Sequence, residues 1–244
     1  MVTIPAGAFT MGSDDGPPDE RPAHQVELAA YAIDRLPVTN AQFAEFLNAI
    51  GTHNKQGERL YDFDDSDARI HQRGAQWTAD AGYANHPAVE PTWSGARDYC
   101  AWRGLRLPTE AEWEKAARGG LEAKRYSWGD RLDPNLANFL VDPSTKTARG
   151  TTRCRTYPPN GFGLHEMHGN VWEYCADAGP VDYREAPTDG RPAVGPQGSR
   201  VLRGGSWSHN PAICRAAYRD SMRPEWPGWE GRVGLRVVCE LEPS

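Results

Sequence analysis

The stretch Leu107-Pro-Thr-Glu-Ala-Glu-Trp-Glu114 anchors the reading of the chain. Thr109 followed three residues later by Glu112 is a capping box. The threonine hydroxyl accepts from the third helical N–H, and the glutamate reaches back to the cap's own N–H. A helix therefore starts at Glu110, runs to about Arg118 and stops at Gly119-Gly120. Upstream, Asn40 or Thr39 caps a helix with Phe43, Phe46 and Leu47 on one face and Gly51 at its end. Ser94 caps another, with Trp93, Ala96, Tyr99, Cys100 and Trp102 near its apolar face and Gly104 ending it. Residues 2–11 read as a hairpin turning at Pro5-Ala6-Gly7-Ala8, and 25–33 alternate towards a strand. Residues 69–80 read as a second hairpin, turning at Arg73-Gly74. Downstream, 121–200 shows little periodicity, and strand signals return at 200–203 and 232–240. A structureless run that long in a compact domain needs something to pin it. Few helices, short strands and long pinned loops predict an irregular α+β fold.

Composition agrees. The chain has 244 residues, so one domain is the default. It carries 25 Gly and 20 Pro, which punctuate it too often for a helical bundle, and nine Trp, which exclude a disordered chain. Net charge is -6 and no basic stripe occurs, so nucleic acid is not the expected partner. Only Lys55, Lys115, Lys124 and Lys146 are lysines; the other 23 cations are arginines, suited to bidentate internal pairing. No stretch approaches the apolar length of a membrane span. Met1-Val2-Thr3-Ile4-Pro5 lacks a basic n-region and an apolar h-region, which predicts a cytoplasmic protein. The five cysteines (100, 154, 175, 214, 239) form no C-x-x-C pair and are expected to be reduced.

Several motifs carry a family resemblance. Ile4-Pro-Ala-Gly-Ala-Phe-Thr-Met-Gly-Ser13, Pro37-Val-Thr-Asn40, Leu107–Glu114, Trp128-Gly-Asp130, Gly169-Asn-Val-Trp-Glu173 and Arg203-Gly-Gly-Ser-Trp207 resemble the formylglycine-generating-enzyme (sulfatase-modifying factor) superfamily. The resemblance spans the chain in order. It implies one C-type-lectin-like domain over 1–244, loop-rich, with few short helices and paired terminal strands. Fold does not settle function, because such scaffolds host oxidases, iron enzymes, inactive paralogues and binding domains.

The family's copper oxidase uses two cysteines five residues apart after the Gly-Gly-Ser-aromatic motif, soft thiolates that suit Cu(I). Here the second position matches Cys214 and the first falls on His209. The bis-thiolate site is absent, so neither copper nor oxidase activity is expected. Cys214 then reads as a small buried hydrophobe, and His209 as a solvent-facing loop residue. No His-x-x-x-His-x-Glu pattern of the iron-dependent relatives occurs, and His165 and His168 read as loop residues.

Residues 200–238 resemble more closely the variable region of a diversity-generating retroelement protein, in which adenine mutagenesis rewrites Asn-rich codons on a fixed scaffold. The fixed set is Gly204, Gly205, Ser206, Trp207, Pro211, Cys214, Arg215, Ala216, Arg219, Pro224, Gly234 and Arg236. The changeable, ligand-binding set is Ser208, His209, Asn210, Ala212, Ile213, Tyr218, Asp220, Ser221, Met222, Trp226, Trp229 and Glu230. Met222, Trp226 and Trp229 cannot arise from a randomised Asn codon, so they need other template codons or are fixed. The resemblance implies a protein or small-ligand partner on this face, with stiff aromatics as anchors. Packing is an equal alternative for Trp226 and Trp229. The alternative functions are a metal oxidase or other modifying enzyme, and an accessory sensing module of a signalling protein.

The family resemblance also implies a structural calcium ion in the loop 160–173, held by Glu166, the carbonyls of Gly169 and Val171, and Glu173. Mixed carboxylate and carbonyl oxygens suit this hard cation. The alternative for Glu173 is an arginine partner. A second family site near Asn138 is in doubt because Lys146 takes its Asp position, with Asp142 close by. Asp62, Asp64, Asp65 and Asp67 lack the EF-hand glycine and read as a solvated loop.

Overall fold

The computed structural model describes residues 1–141, 150–179, 183–195, 198–224, 226 and 231–241. The elements in chain order are β1 (Val2–Ile4), β2 (Gly7–Met11), β3 (His24–Leu28), β4 (Tyr31–Ile33), α1 (Asn40–Ile50), β5 (Ile70–Arg73) and β6 (Gln76–Ala79). They continue with α2 (Trp93–Trp102), α3 (Glu110–Arg118), β7 (Trp172–Ala178), β8 (Arg200–Arg203), β9 (Arg219–Met222), β10 (Val233–Gly234) and β11 (Val238–Glu240). Short strands and three short helices make the α+β, loop-rich fold of the C-type-lectin-like kind.

The capping box forms as the sequence dictates. Glu112 N donates to Thr109 Oγ1 at 3.2 Å, Thr109 N donates to the Glu112 carboxylate at 2.8 Å, and Gly119 closes α3 in the left-handed region. Every residue of α3 is buried, including Glu110, Glu114, Lys115 and Arg118. A charged helix can be buried only if its charges are paired, and these are. Arg118 reaches Glu114 at 2.6 Å, Arg219 reaches Glu110 at 2.6 Å, and Arg203 bridges Glu110 and Glu114. Four arginines, Arg118, Arg203, Arg219 and Arg236, are buried in such pairs. Arg236 on Glu173 (2.9 Å) and Arg215 on Glu20 (2.6 Å) complete the set.

Four local expectations need correction. Residues 2–11 are not a hairpin: β1 pairs with β4 and β2 with β3, so each half finds its own antiparallel partner. For the same reason 25–33 is two strands, interrupted at 29–30. The cap of α2 is Thr92, not Ser94, because Thr92 Oγ1 accepts from Gly95 N at 3.0 Å. The terminal strands do not pair with each other; β1 and β11 flank β4 on opposite sides. In the run 121–200, β7 went unread because its buried pattern lacks a period-two alternation. It is an inner strand of the sheet β10-β7-β8-β9.

One core cluster joins α1, α2 and β7 through Phe43, Phe46, Tyr99, Trp172 and Tyr174; a second lies under α3 and β2–β4 around Trp113. All five cysteines are unpaired. Among the described residues no helix is long and apolar enough to cross a membrane.

Candidate ligand-binding face

After β8 the chain turns through Gly204 and Gly205, both at positive φ. The turn is seated on the 169–172 segment: Gly169 N donates to Gly204 O at 2.7 Å, and Trp207 N to Asn170 O at 3.0 Å. This places His209 against the indole of Trp172, with Ser206 beside it. Ser206 Oγ lies 2.7 Å from His209 Nδ1 and 3.1 Å from Ser208 Oγ. The His209 ring meets Trp172 edge-on at 5.4 Å. His209 is therefore half-buried and not the solvent-facing residue expected. Burial, aided by the nearby Arg232 charge, pushes its imidazole down to about 4, so it is neutral at pH 7. Tyr218 leans on the same indole at 6.1 Å, and the guanidinium of Arg215 lies over its ring at 5.7 Å.

Cys214, the other family copper position, is fully buried against Ala137 and Phe139. Burial pushes its thiol up to about 12, so it is no thiolate at neutral pH. Its Sγ sits 3.9 Å from Ser206 O. His168 is also buried. Ser127 N donates to its Nε2 at 3.0 Å and its Nδ1 lies 2.9 Å from Cys214 O, so one neutral tautomer uses both nitrogens. It has no lone pair left for a metal.

The predicted display residues separate by burial. Asn210 and Ala212 are exposed, and Ser208, Asp220 and Ser221 are partly so. Ile213 and Tyr218 are half-buried against the first core cluster. Met222 is a correction: only 4% exposed, it ends β9 inside that cluster and offers no free side chain. Trp226 is 55% exposed, with the Arg223 guanidinium 5.6 Å from its ring. Trp229 and Glu230 lie outside the described residues. Trp172 lies outside the predicted set, yet it sits at the base of the face, and its buried Nε1 has no partner among the described residues.

The 160–173 loop tests the calcium expectation. Glu166, at φ 56°, accepts from Arg155 N at 2.8 Å through Oε1, with the Tyr157 N–H also close, while its buried Oε2 has no hydrogen-bond partner among the described residues. That atom fits a ligand role, and burial pushes the carboxyl up to about 7. Glu173 does not fit. Its two oxygens accept from Trp113 Nε1 (2.7 Å), Arg236 Nη2 (2.9 Å) and Arg236 Nε (3.2 and 2.9 Å). These bonds fill the roughly four lone-pair sites of a carboxylate. The arginine alternative holds for Glu173: Arg236 supplies the positive charge there. Gly169 and Val171 remain backbone positions of a loop braced by Asn170, which accepts from Thr152 N at 2.9 Å. Asp142 and Lys146 lie outside the described residues.

The sequence matches the family described as "Sulfatase-modifying factor enzyme 1-like domain" over residues 1–241. It is 39% identical over 284 aligned positions to the formylglycine-generating enzyme of Streptomyces coelicolor, covering 99% of this chain and 90% of that enzyme. It is 41% identical over 230 positions to the serine/threonine-protein kinase pkn1 of Chlamydia pneumoniae, covering 92% of this chain and 35% of that protein. The chain thus spans about a third of the length of that kinase. The solved structure of Treponema denticola variable protein 1 has the same fold, with a TM-score of 0.74, 22% identity and coverage of 99% and 95%. By its match over nearly the whole sequence, this chain belongs to the sulfatase-modifying factor enzyme 1-like domain family.

Proposed function

We propose that this chain is a non-catalytic, ligand-binding member of its family, and that residues 200–238 are the variable, ligand-binding region of a diversity-generating retroelement protein. The observation that carries this reading is the pair at the family's copper positions. His209 is neutral and held against Ser206 and Trp172, while Cys214 is a sealed thiol. Two accessible thiolates, the chemistry Cu(I) oxidation needs, are not what these residues offer. What surrounds them suits binding. Tyr218 and Trp226 are stiff aromatics that lose little entropy on contact, and Trp172 Nε1 is a buried donor without an acceptor. Around them stand small polar or exposed side chains at Ser208, Asn210 and Ala212. Arg203, Arg215, Arg219 and Arg236 are paired internally and add no free charge to the face. A protein or small ligand is the partner this supports.

A specific observation favours a second reading. A homologous segment makes up about a third of a protein kinase, so the same face could serve as the sensing module of a signalling protein. Sequencing the DNA around the gene separates the two. The retroelement reading predicts a near-copy of codons 200–238 whose differences fall at template adenines, together with a reverse-transcriptase gene. Finding neither would overturn it.

A further inference from the structure

We propose a calcium site, formed by Asp62, Asp65 and Glu90, at the root of the 225–230 segment. One carboxylate oxygen from each of these residues lies within 4.8 Å of the others. Carboxylate oxygens gathered this closely suit a hard cation with oxygen ligands at about 2.3–2.6 Å, the calcium range.

Proximity of acids alone would carry nothing. The second observation is Glu90. Its side chain is 0% exposed, and its Oε2 is buried without a hydrogen-bond partner among the described residues. An orphaned carboxylate oxygen in the interior is costly, and a cation at the cluster would satisfy it. Each carboxylate is already oriented by a protein donor on one oxygen. Gly231 N donates to Glu90 Oε1 at 2.5 Å, Asp67 N to Asp65 Oδ1 at 2.6 Å, and Arg59 Nη2 lies 2.8 Å from Asp62 Oδ1. The backbone holds the two segments together: Asp62 N donates to Glu90 O at 3.0 Å, and Tyr61 bridges Pro91. Glu90 itself sits at φ 67°, which turns its side chain out of line with the strand-like path around it.

The local charge balance is short of cations. Arg59 is shared between Asp62 and Asp64, and Arg69 is taken by Asp67. The four-aspartate stretch is therefore not simply a solvated loop; Asp62 is only 7% exposed.

The site is placed to matter. Gly231 ends the 225–230 segment, its N–H is on Glu90, and its carbonyl accepts from Trp207 Nε1 at 3.1 Å. Gly231 also packs so closely on Asp67 that a Cβ there would lie 2.9 Å from the Asp67 Cβ, and its φ is 69°. An ion at Glu90 would tie this end of the binding face to the scaffold. The site stands on its own geometry, whether or not the face is diversified.

The test uses the full chain, stripped of metal with EGTA and titrated with CaCl2 by calorimetry. Thermal midpoints are followed alongside. The wild type should take up one calcium and gain midpoint temperature. Glu90→Gln and Asp65→Asn should weaken binding roughly tenfold or more, since affinity follows ligand charge; Glu166→Gln reports any ion held instead by the 160–173 loop, and Asp189→Asn, at an exposed carboxylate, should leave binding unchanged. Asp65 is partly exposed, so Asp65→Asn keeps the fold readable if Glu90→Gln does not. No calcium uptake by the wild type, unchanged affinity in Asp65→Asn, or loss confined to Glu166→Gln would each overturn the proposal.

Discussion

Arg203→Met is expected to destabilise the domain by about 3–5 kcal/mol, the usual cost of removing one partner from a buried ion pair. For a domain of this size that lowers the thermal midpoint by roughly 6–20 °C. Arg203 is 0% exposed and lies between two glutamates of α3. Its guanidinium reaches Glu110 at 3.2 Å, is bonded to Glu114, and donates to the carbonyls of Ala216 (2.7 Å) and Ala217 (3.1 Å). Methionine fills much of the volume but leaves Glu110 on Arg219 alone and Glu114 on Arg118 alone. Burial alone would raise the Glu114 carboxyl, yet Arg118 and Arg203 hold it below the usual range; without Arg203 part of that support is lost. It also leaves two carbonyls next to β9 without donors. Arg73→Met, which removes the exposed partner of Asp80, should cost less than about 1 kcal/mol. Urea or thermal unfolding followed by circular dichroism measures both. Equal losses in the two variants would contradict the role given to α3 as the paired hub of the fold.

Gly205→Ala is expected to cost roughly 2–5 kcal/mol, because two penalties act together. Its φ of 71° lies where a Cβ is strained, and that Cβ would run into Cys214 Sγ and sit 3.0 Å from Cys214 Cα. Cys214 cannot retreat, since it is sealed against Ala137 and Phe139. Five residues after Gly204-Gly205-Ser206-Trp207 the picture reverses. Ala212 is exposed, and Ala212→Asn should change stability by no more than about 0.5 kcal/mol. This contrast is what a display surface requires: intolerant framework positions alternate with positions that accept almost any side chain. Chemical denaturation of the two variants reads it. A tolerant Gly205 or an intolerant Ala212 would undo the division into framework and display.

The fold was legible where local chemistry is self-contained. The Thr109–Glu112 capping box, the left-handed Gly119 and the 70–79 hairpin all depend on neighbours in sequence. The misread elements depend on distant partners. Nothing within 2–11 says that β1 and β2 will pair elsewhere, and β7 shows no alternation because both its faces are buried. The face divides the same way. Glycines and arginines marked the framework, because their backbone and pairing demands show in the residue type. Met222 was misassigned because its burial is set by the pairing of β9 with β8, and His209 because Trp172 lies 37 positions away in the chain. Glu173 was assigned to an ion before Arg236, at the far end of the sequence, was seen to complete its hydrogen bonds. The Glu90 cluster was the least visible, since its members meet only through the 61–91 bridge.

The central claim is that this family member binds without catalysing, and the most direct measurement is an oxidation assay. Purified chain loaded with Cu(I) is incubated with a Cys-x-Pro-x-Arg peptide in oxygenated buffer and the peptide is weighed by mass spectrometry. With His209 in place of a thiolate and Cys214 held as a buried thiol, the peptide mass should stay that of the cysteine form, as in a copper-only control. Appearance of the aldehyde, above that control, would contradict the claim and return the chain to the oxidases of its family.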